Sequence, residues 1–197
     1  TPLVVSISGN TADEFATLCS EVSVDGVAAI EVNISCPNIE EDGKAFAIRP
    51  SSTFDVMTKL RKATHLPLWA KLTPNTGETP EVARAAEEAG ADALVVANTI
   101  LAMAIDINTR RPKLGNLMGG LSGPSLKPIA LRMAYQCARA TKIPVIGCGG
   151  ISSVEDVLEF LIAGATAVQV GTATFINPLA MPRIIDELAA WLARQGY

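Results

Sequence analysis

Short apolar, β-branched runs alternate along this chain with stretches in which apolar residues recur every three or four positions. The runs predict strands at residues 3–8, 28–34, 68–72, 93–98, 144–147 and 167–170. The stretches between them predict amphipathic helices at 12–22, 52–64, 80–89, 127–140, 154–163 and 182–194. The strand runs are continuously apolar rather than alternating, as in a parallel sheet covered by helices. Helix starts carry caps: Thr11 with Glu14 fits a capping box, and Ser153 precedes Val154-Glu155-Asp156. Gly90 and Gly164 each close a helix inside an Ala-Gly-Ala turn.

Six βα units follow from this reading, and a (β/α)8 barrel has eight. The predicted fold class is therefore α/β: a TIM barrel of which about six units lie in this chain. Residues 1–197 would form the C-terminal portion of a single barrel domain whose first two units are absent. An open six-unit sheet is the alternative. One segment breaks the rhythm. Residues 100–120 are long and rich in Gly and Arg, with Ile105-Asp106-Ile107-Asn108-Thr109-Arg110-Arg111 resembling a small hairpin. Long insertions after barrel strands commonly build the active site.

Composition narrows the function. Of 197 residues, 49% are hydrophobic, enough for one sizeable core. The net charge is −4 without a basic run, which argues against nucleic acid or an anionic membrane surface as partner. Gly, Pro or charge interrupts every apolar stretch before it reaches a membrane span. Cys19, Cys36, Cys137 and Cys148 form no CxxC pair and have no His at metal spacing. They read as reduced thiols of a cytoplasmic protein, with no metal site expected.

Candidate chemistry gathers at strand C-termini. Gly147-Cys148-Gly149-Gly150-Ile151-Ser152 follows the penultimate strand and Gly171-Thr172-Ala173 the last. Either motif alone could be a tight turn. Together, on the two final strands, they match the phosphate site of α/β barrels. Lys71 ends an apolar strand, where an ammonium needs a partner or a polar pocket. It could reach solvent, form a Schiff base as in aldolases, or stand beside a flavin ring. Asn33, Asn98 and Thr99 offer amide and hydroxyl groups at strand ends, either to a planar substrate or as loop caps. Cys36 sits where an apolar strand meets a polar loop, 37–50, that could act as a lid. Most lone cysteines are small buried hydrophobes, and Cys19, Cys137 and Cys148 fit that description. His65 precedes a strand, on the stability face of a barrel. With no second His, Cys36 is the best candidate for a general base.

These residues resemble a known family. Asn33-Ile34-Ser35-Cys36-Pro37-Asn38 resembles the active-site loop of class 1 dihydroorotate dehydrogenases. Gly119-Gly120-Leu121-Ser122-Gly123-Pro124, Lys71-Leu72-Thr73-Pro74-Asn75 and Asp106-Ile107-Asn108-Thr109-Arg110 are similar to the class 1B, NAD-linked branch. The resemblance implies FMN-dependent oxidation of dihydroorotate to orotate in pyrimidine biosynthesis. It implies Cys36 as the base for the C5 proton, with hydride passing from C6 to FMN. It implies Asn33, Asn98 and Thr99 at the substrate, Lys71 and Gly123 at the flavin, and Gly149, Gly150, Gly171 and Thr172 at its phosphate. It further implies a homodimer and a partner subunit with FAD and an iron–sulfur cluster, or direct fumarate reduction as in class 1A. Ser6 stands where the family usually has an FMN-contacting Asn, Thr73 where Ser is common and Met118 where Thr is common. A phosphosugar lyase or aldolase using Lys71, and a non-catalytic truncated fragment, are the competing readings.

Overall fold

The computed structural model describes residues 2–35 and 45–196. Six strands form one sheet: β1 (Leu3–Ile7), β2 (Val27–Val32), β3 (Leu68–Lys71), β4 (Ala93–Val96), β9 (Val145–Cys148) and β10 (Ala167–Gln169). Neighbours pair in parallel in the order β1-β2-β3-β4-β9-β10. Between them run α1 (Ala12–Glu21), α2 (Pro50–Ala63), α3 (Thr79–Glu88), α4 (Lys127–Ala140) and α5 (Val154–Ile162). The chain ends in a one-turn helix, α6 (Ala173–Ile176), and in α7 (Ala180–Gln195).

The six strands and six long helices predicted from periodicity are all present, with ends shifted by up to two residues. Local chemistry accounts for the placement of several of these helices. In α4, Ala130, Met133, Ala134 and Cys137 recur at helical spacing and are buried. In α5, the Ser153 side chain accepts from the Asp156 N–H, and Asp156 answers with a bond from the Ser153 N–H. At α1, Thr11 accepts from the Glu14 N–H as expected, but the Glu14 carboxylate takes the Asn10 N–H rather than that of Thr11. Gly90 and Gly164 follow their helices with φ of +97° and +108°, a conformation a side chain would strain.

The sheet has two unlike faces. Ile30, Val32, Leu68, Leu94 and Val145 face the helices and join Phe15, Met57, Leu60, Met133 and Phe160 in the main core. Each such side chain contributes about 1.5–3 kcal/mol by leaving water. The other face carries a small separate cluster of Ala93, Val95 and Ile146, bordered by Trp69 and Cys148. It also carries charge. The expectation of continuously apolar strands fails here, because Ser6, Glu31, Lys71 and Gln169 meet on this face.

That meeting reveals the curvature of the sheet. Gln169 of β10 donates to Glu31 of β2 across 2.7 Å. The two strands stand four places apart, roughly 19 Å in a flat sheet at about 4.8 Å per strand. Two side chains cannot bridge that gap, so the sheet must curl until its inner face closes on itself. Curling also brings the strand C-termini around one rim. On the opposite rim Arg61 clamps the strand entrances. It donates to Asp92 at 2.8 Å and to the Thr64 and Leu66 carbonyls at 2.7 Å each.

Two excursions complete the fold. After β4, strand β5 (Ile100–Ala102) pairs antiparallel with β8 (Gly119–Leu121), and β6 (Ile105–Asp106) with β7 (Arg111–Pro112). The second pair is the expected hairpin; the first joins residues too far apart in sequence to read as one. Of the lid expected at 37–50, residues 37–44 lie outside the described residues. Phe46 and Ala47 form a buried 3-10 turn in the main core, and Phe46 stacks edge-on against Phe15. The end of that segment is packed into the core, with the Phe46 carbonyl accepting from Ser52 and Thr53.

Candidate active site

A cavity of about 270 Å³ opens at the C-terminal rim of the sheet. Its wall includes Lys71, Asn98, Thr99, Gly123, Gly149, Gly150, Gly171 and Thr172, eight of the ten residues singled out from the sequence. Cys36 lies outside the described residues. Asn33 does not line the cavity but is tied to it, because the Asn98 side-chain amide donates to its Oδ1 at 3.2 Å.

The glycine turns are built for close approach. Gly149 and Gly150 follow β9 with φ of +133° and +74°. A Cβ on Gly150 would sit 2.6 Å from the Lys127 backbone N and 2.9 Å from the Gly123 carbonyl O. The loop is thus pressed onto the first turn of α4. Asp156 fastens it there, accepting from the Ser152 and Ser153 N–H groups at 2.8 and 3.0 Å and from Lys127 Nζ at 2.7 Å. Burial pushes the Asp156 carboxyl up, but the bonds from Lys127 and Ser152 outweigh it and hold it below its ordinary value. Gly171 differs: a Cβ there meets nothing within 4 Å. Its loop leads into α6, a short extra helix after the last strand, where α/β barrels commonly seat a phosphate.

The amide cluster lies beside this cradle. Asn98 follows β4, and its backbone N–H donates to the Leu72 carbonyl at 2.9 Å. Ser35 donates to Asn33 Oδ1 and accepts from Asn98 Nδ2 through short contacts. The Thr99 N–H donates to Asn98 Oδ1 at 2.8 Å, and Asn75 Nδ2 reaches the Thr99 carbonyl at 3.3 Å. Each amide is oriented by a neighbour, so the cluster presents fixed donors and acceptors rather than loose caps.

Lys71 does not run out to solvent. Its side chain is 18% exposed and pairs with Glu31, whose side chain is 5% exposed, at 3.2 Å. The Schiff-base reading is disfavoured by that partner, since such amines are activated by apolar burial or by a second cation. Cys19 and Cys137 pack in the main core as expected, and burial pushes their thiols up to about 11 and about 12. Cys148 departs from expectation. It packs beside the inner cluster but also lines the cavity, where burial raises its thiol and the nearby Lys71 opposes that.

Sequence reasoning missed Glu31, Gln169, Ser35 and Arg183. Arg183 of α7 borders the cavity and donates to the Ser152 carbonyl at 3.4 Å. Glu31 had a signal: a carboxylate between Ile30 and Val32 is as anomalous as Lys71 at the end of the next strand, 40 positions on. The counter-charge that a strand-end ammonium at Lys71 needs points to it.

A family model described as dihydroorotate dehydrogenase matches residues 1–192. The chain belongs to the dihydroorotate dehydrogenase family. That family folds as a TIM barrel, and the curled parallel sheet here is an arc of one. The chain is similar to proteins named dihydroorotate dehydrogenase B (NAD(+)), catalytic subunit. In Trichlorobacter lovleyi the identity is 52% over 197 residues, covering 100% of this chain and 65% of that protein. In Geobacter sulfurreducens it is 51%, with the same coverage. In Thermoanaerobacter sp. it is 49% over 190 residues, covering 96% and 63%. The chain therefore spans about 65% of the length of the relatives it matches. No helix among the described residues is long and apolar enough to cross a membrane.

Proposed function

We propose that the parent protein oxidises dihydroorotate to orotate with bound FMN, as the catalytic subunit of a B-type dihydroorotate dehydrogenase in pyrimidine biosynthesis. One observation carries this reading. In a chain of this family, one cavity collects the strand-end Lys, Asn98 and Thr99 of the amide cluster, and both glycine turns. These residues fit FMN: Gly171 leaves open space where a side chain would stand, and Lys71 supplies a cation for the ring.

Gly149, Gly150, Gly171 and Thr172 would hold the phosphate, Gly123 would lie along the cofactor, and Lys71 would face its ring. Bound FMN would accept the hydride that leaves C6 of the substrate. Asn33, Asn98 and Thr99 would orient the substrate's carboxylate and ring amides. Cys36 would take the C5 proton as general base, so it must be a thiolate at the moment of transfer. Residues 1–197 would form the C-terminal portion of one barrel, with two further βα units elsewhere in the protein. Electrons would leave through a second subunit bearing FAD and an iron–sulfur cluster, the catalytic subunit itself forming a homodimer in the cytoplasm.

Replacing Cys36 with Ser in the full-length protein tests this. Flavin reduction by dihydroorotate should slow by about 10²–10⁴, the range for losing a general base. An unchanged rate would remove Cys36 from the mechanism.

A further inference from the structure

The inner face of the sheet holds one carboxylate that the proposed reaction leaves without a role. Glu31 is 4% exposed. Its three donors come from three other strands. Ser6 Oγ and Lys71 Nζ donate to Oε1 at 2.8 and 3.2 Å, and Gln169 Nε2 donates to Oε2 at 2.7 Å. Burying such a charge is costly, and apolar side chains of similar volume are often as stable or more so. Stability alone gives no reason for it. Its position does: Lys71 and Gln169 line the cavity, and Glu31 stands behind them both.

We propose that Glu31 is a positioning residue that acts through Lys71. It holds the ammonium at the cavity wall and offsets part of its field. It thereby sets how strongly the site favours additional negative charge on a bound flavin. Ser6 and Gln169 share the carboxylate and so limit how much of the Lys71 charge it cancels. The inference rests on the flavin reading above.

Inorganic sulfite is the probe, because it adds to oxidised flavin and leaves negative charge on the ring. Its affinity and the flavin midpoint potential report the same field without turnover. Both are measured on the full-length, FMN-loaded protein. Glu31→Gln keeps an oxygen for Lys71 and removes the charge, while Gln169 can turn its own amide to match. Sulfite should bind about tenfold tighter, and the two-electron potential should rise by about 30 mV, the equivalent shift. Ser6→Ala removes a donor from Oε1 and leaves the carboxylate freer to cancel Lys71. Sulfite should then bind more weakly, by about threefold, the effect of losing one modest hydrogen bond. Opposite signs separate this account from general damage, which would move both variants the same way. Wild-type affinity in either variant, or shifts of one sign, would overturn the role of Glu31 and leave the flavin reading intact. A full-length wild-type protein that neither carries nor takes up flavin would overturn both.

Discussion

Two glycines on the cavity wall should respond to the same methyl group in opposite ways. Gly150 has φ of +74°, and a Cβ there would meet Lys127 N at 2.6 Å, Lys127 Cβ at 2.7 Å and Gly123 O at 2.9 Å. Two of these are backbone atoms that cannot swing aside. The left-handed backbone costs about 1–2 kcal/mol for a non-glycine residue. The overlap adds about 1–3 kcal/mol. Gly150→Ala should therefore lose roughly 2–5 kcal/mol. At about 2–4 °C per kcal/mol for a domain of this size, its Tm should fall by roughly 4–20 °C. Gly171 lies outside the left-handed region, and a Cβ there meets nothing within 4 Å. Gly171→Ala should melt within about 0.5 kcal/mol of wild type. Its methyl nevertheless enters the proposed phosphate cradle, where crowding of about 1–3 kcal/mol would weaken FMN binding by roughly 5–150-fold. Thermal melts of the cofactor-free, full-length variants give the first quantity, and FMN titration by fluorescence quenching gives the second. Equal loss of Tm in the two variants would refute the packing argument. Unchanged FMN affinity in Gly171→Ala would remove that loop from the cofactor site.

Other expectations follow from the same geometry. Asn98→Ala removes the amide that braces Asn33 and Ser35, and should lower kcat/KM for dihydroorotate by about 10–100-fold, as expected for lost bonds to a charged substrate. Phe160→Ala empties a fully buried site against Gly147 and should cost about 3–5 kcal/mol in chemical denaturation. Because the Asp156 carboxyl is held below its ordinary value in the fold, its contribution is fully present above about pH 3.9. It is lost as pH falls through the lowered folded value, so Asp156→Asn should flatten the acid limb of a stability profile. Cys19 and Cys137, buried and raised to about 11 and about 12, should resist alkylation in the native protein at neutral pH and label on unfolding.

The alternation of strand and helix was legible because helix-facing positions such as Ile30, Leu68 and Leu94 are uniformly apolar, and because caps at Thr11 and Ser153 mark helix starts. The rim cluster was legible for a related reason. Lys71, Asn98 and the glycine pairs all stand at strand C-termini, which a parallel barrel gathers at one end. What escaped were interactions between strands distant in sequence. Glu31 and Gln169 lie 138 positions apart, and only the curl of the sheet makes them neighbours. The β5–β8 pair was missed because glycines at Gly119 and Gly120 carry no strand propensity; Gly120 is needed there because Thr99 packs against it. The helix α6 was missed because one turn is too short to show a period. Phe46 reads as part of a polar loop because the run around it lacks any repeat, although its ring is core.

The visible spectrum of the full-length protein, recorded before and after anaerobic addition of dihydroorotate, tests the central claim most directly. The account predicts an FMN band that bleaches on addition of substrate. A flavin band that persists would contradict the assigned substrate, and a full-length protein that binds no flavin would contradict the account as a whole.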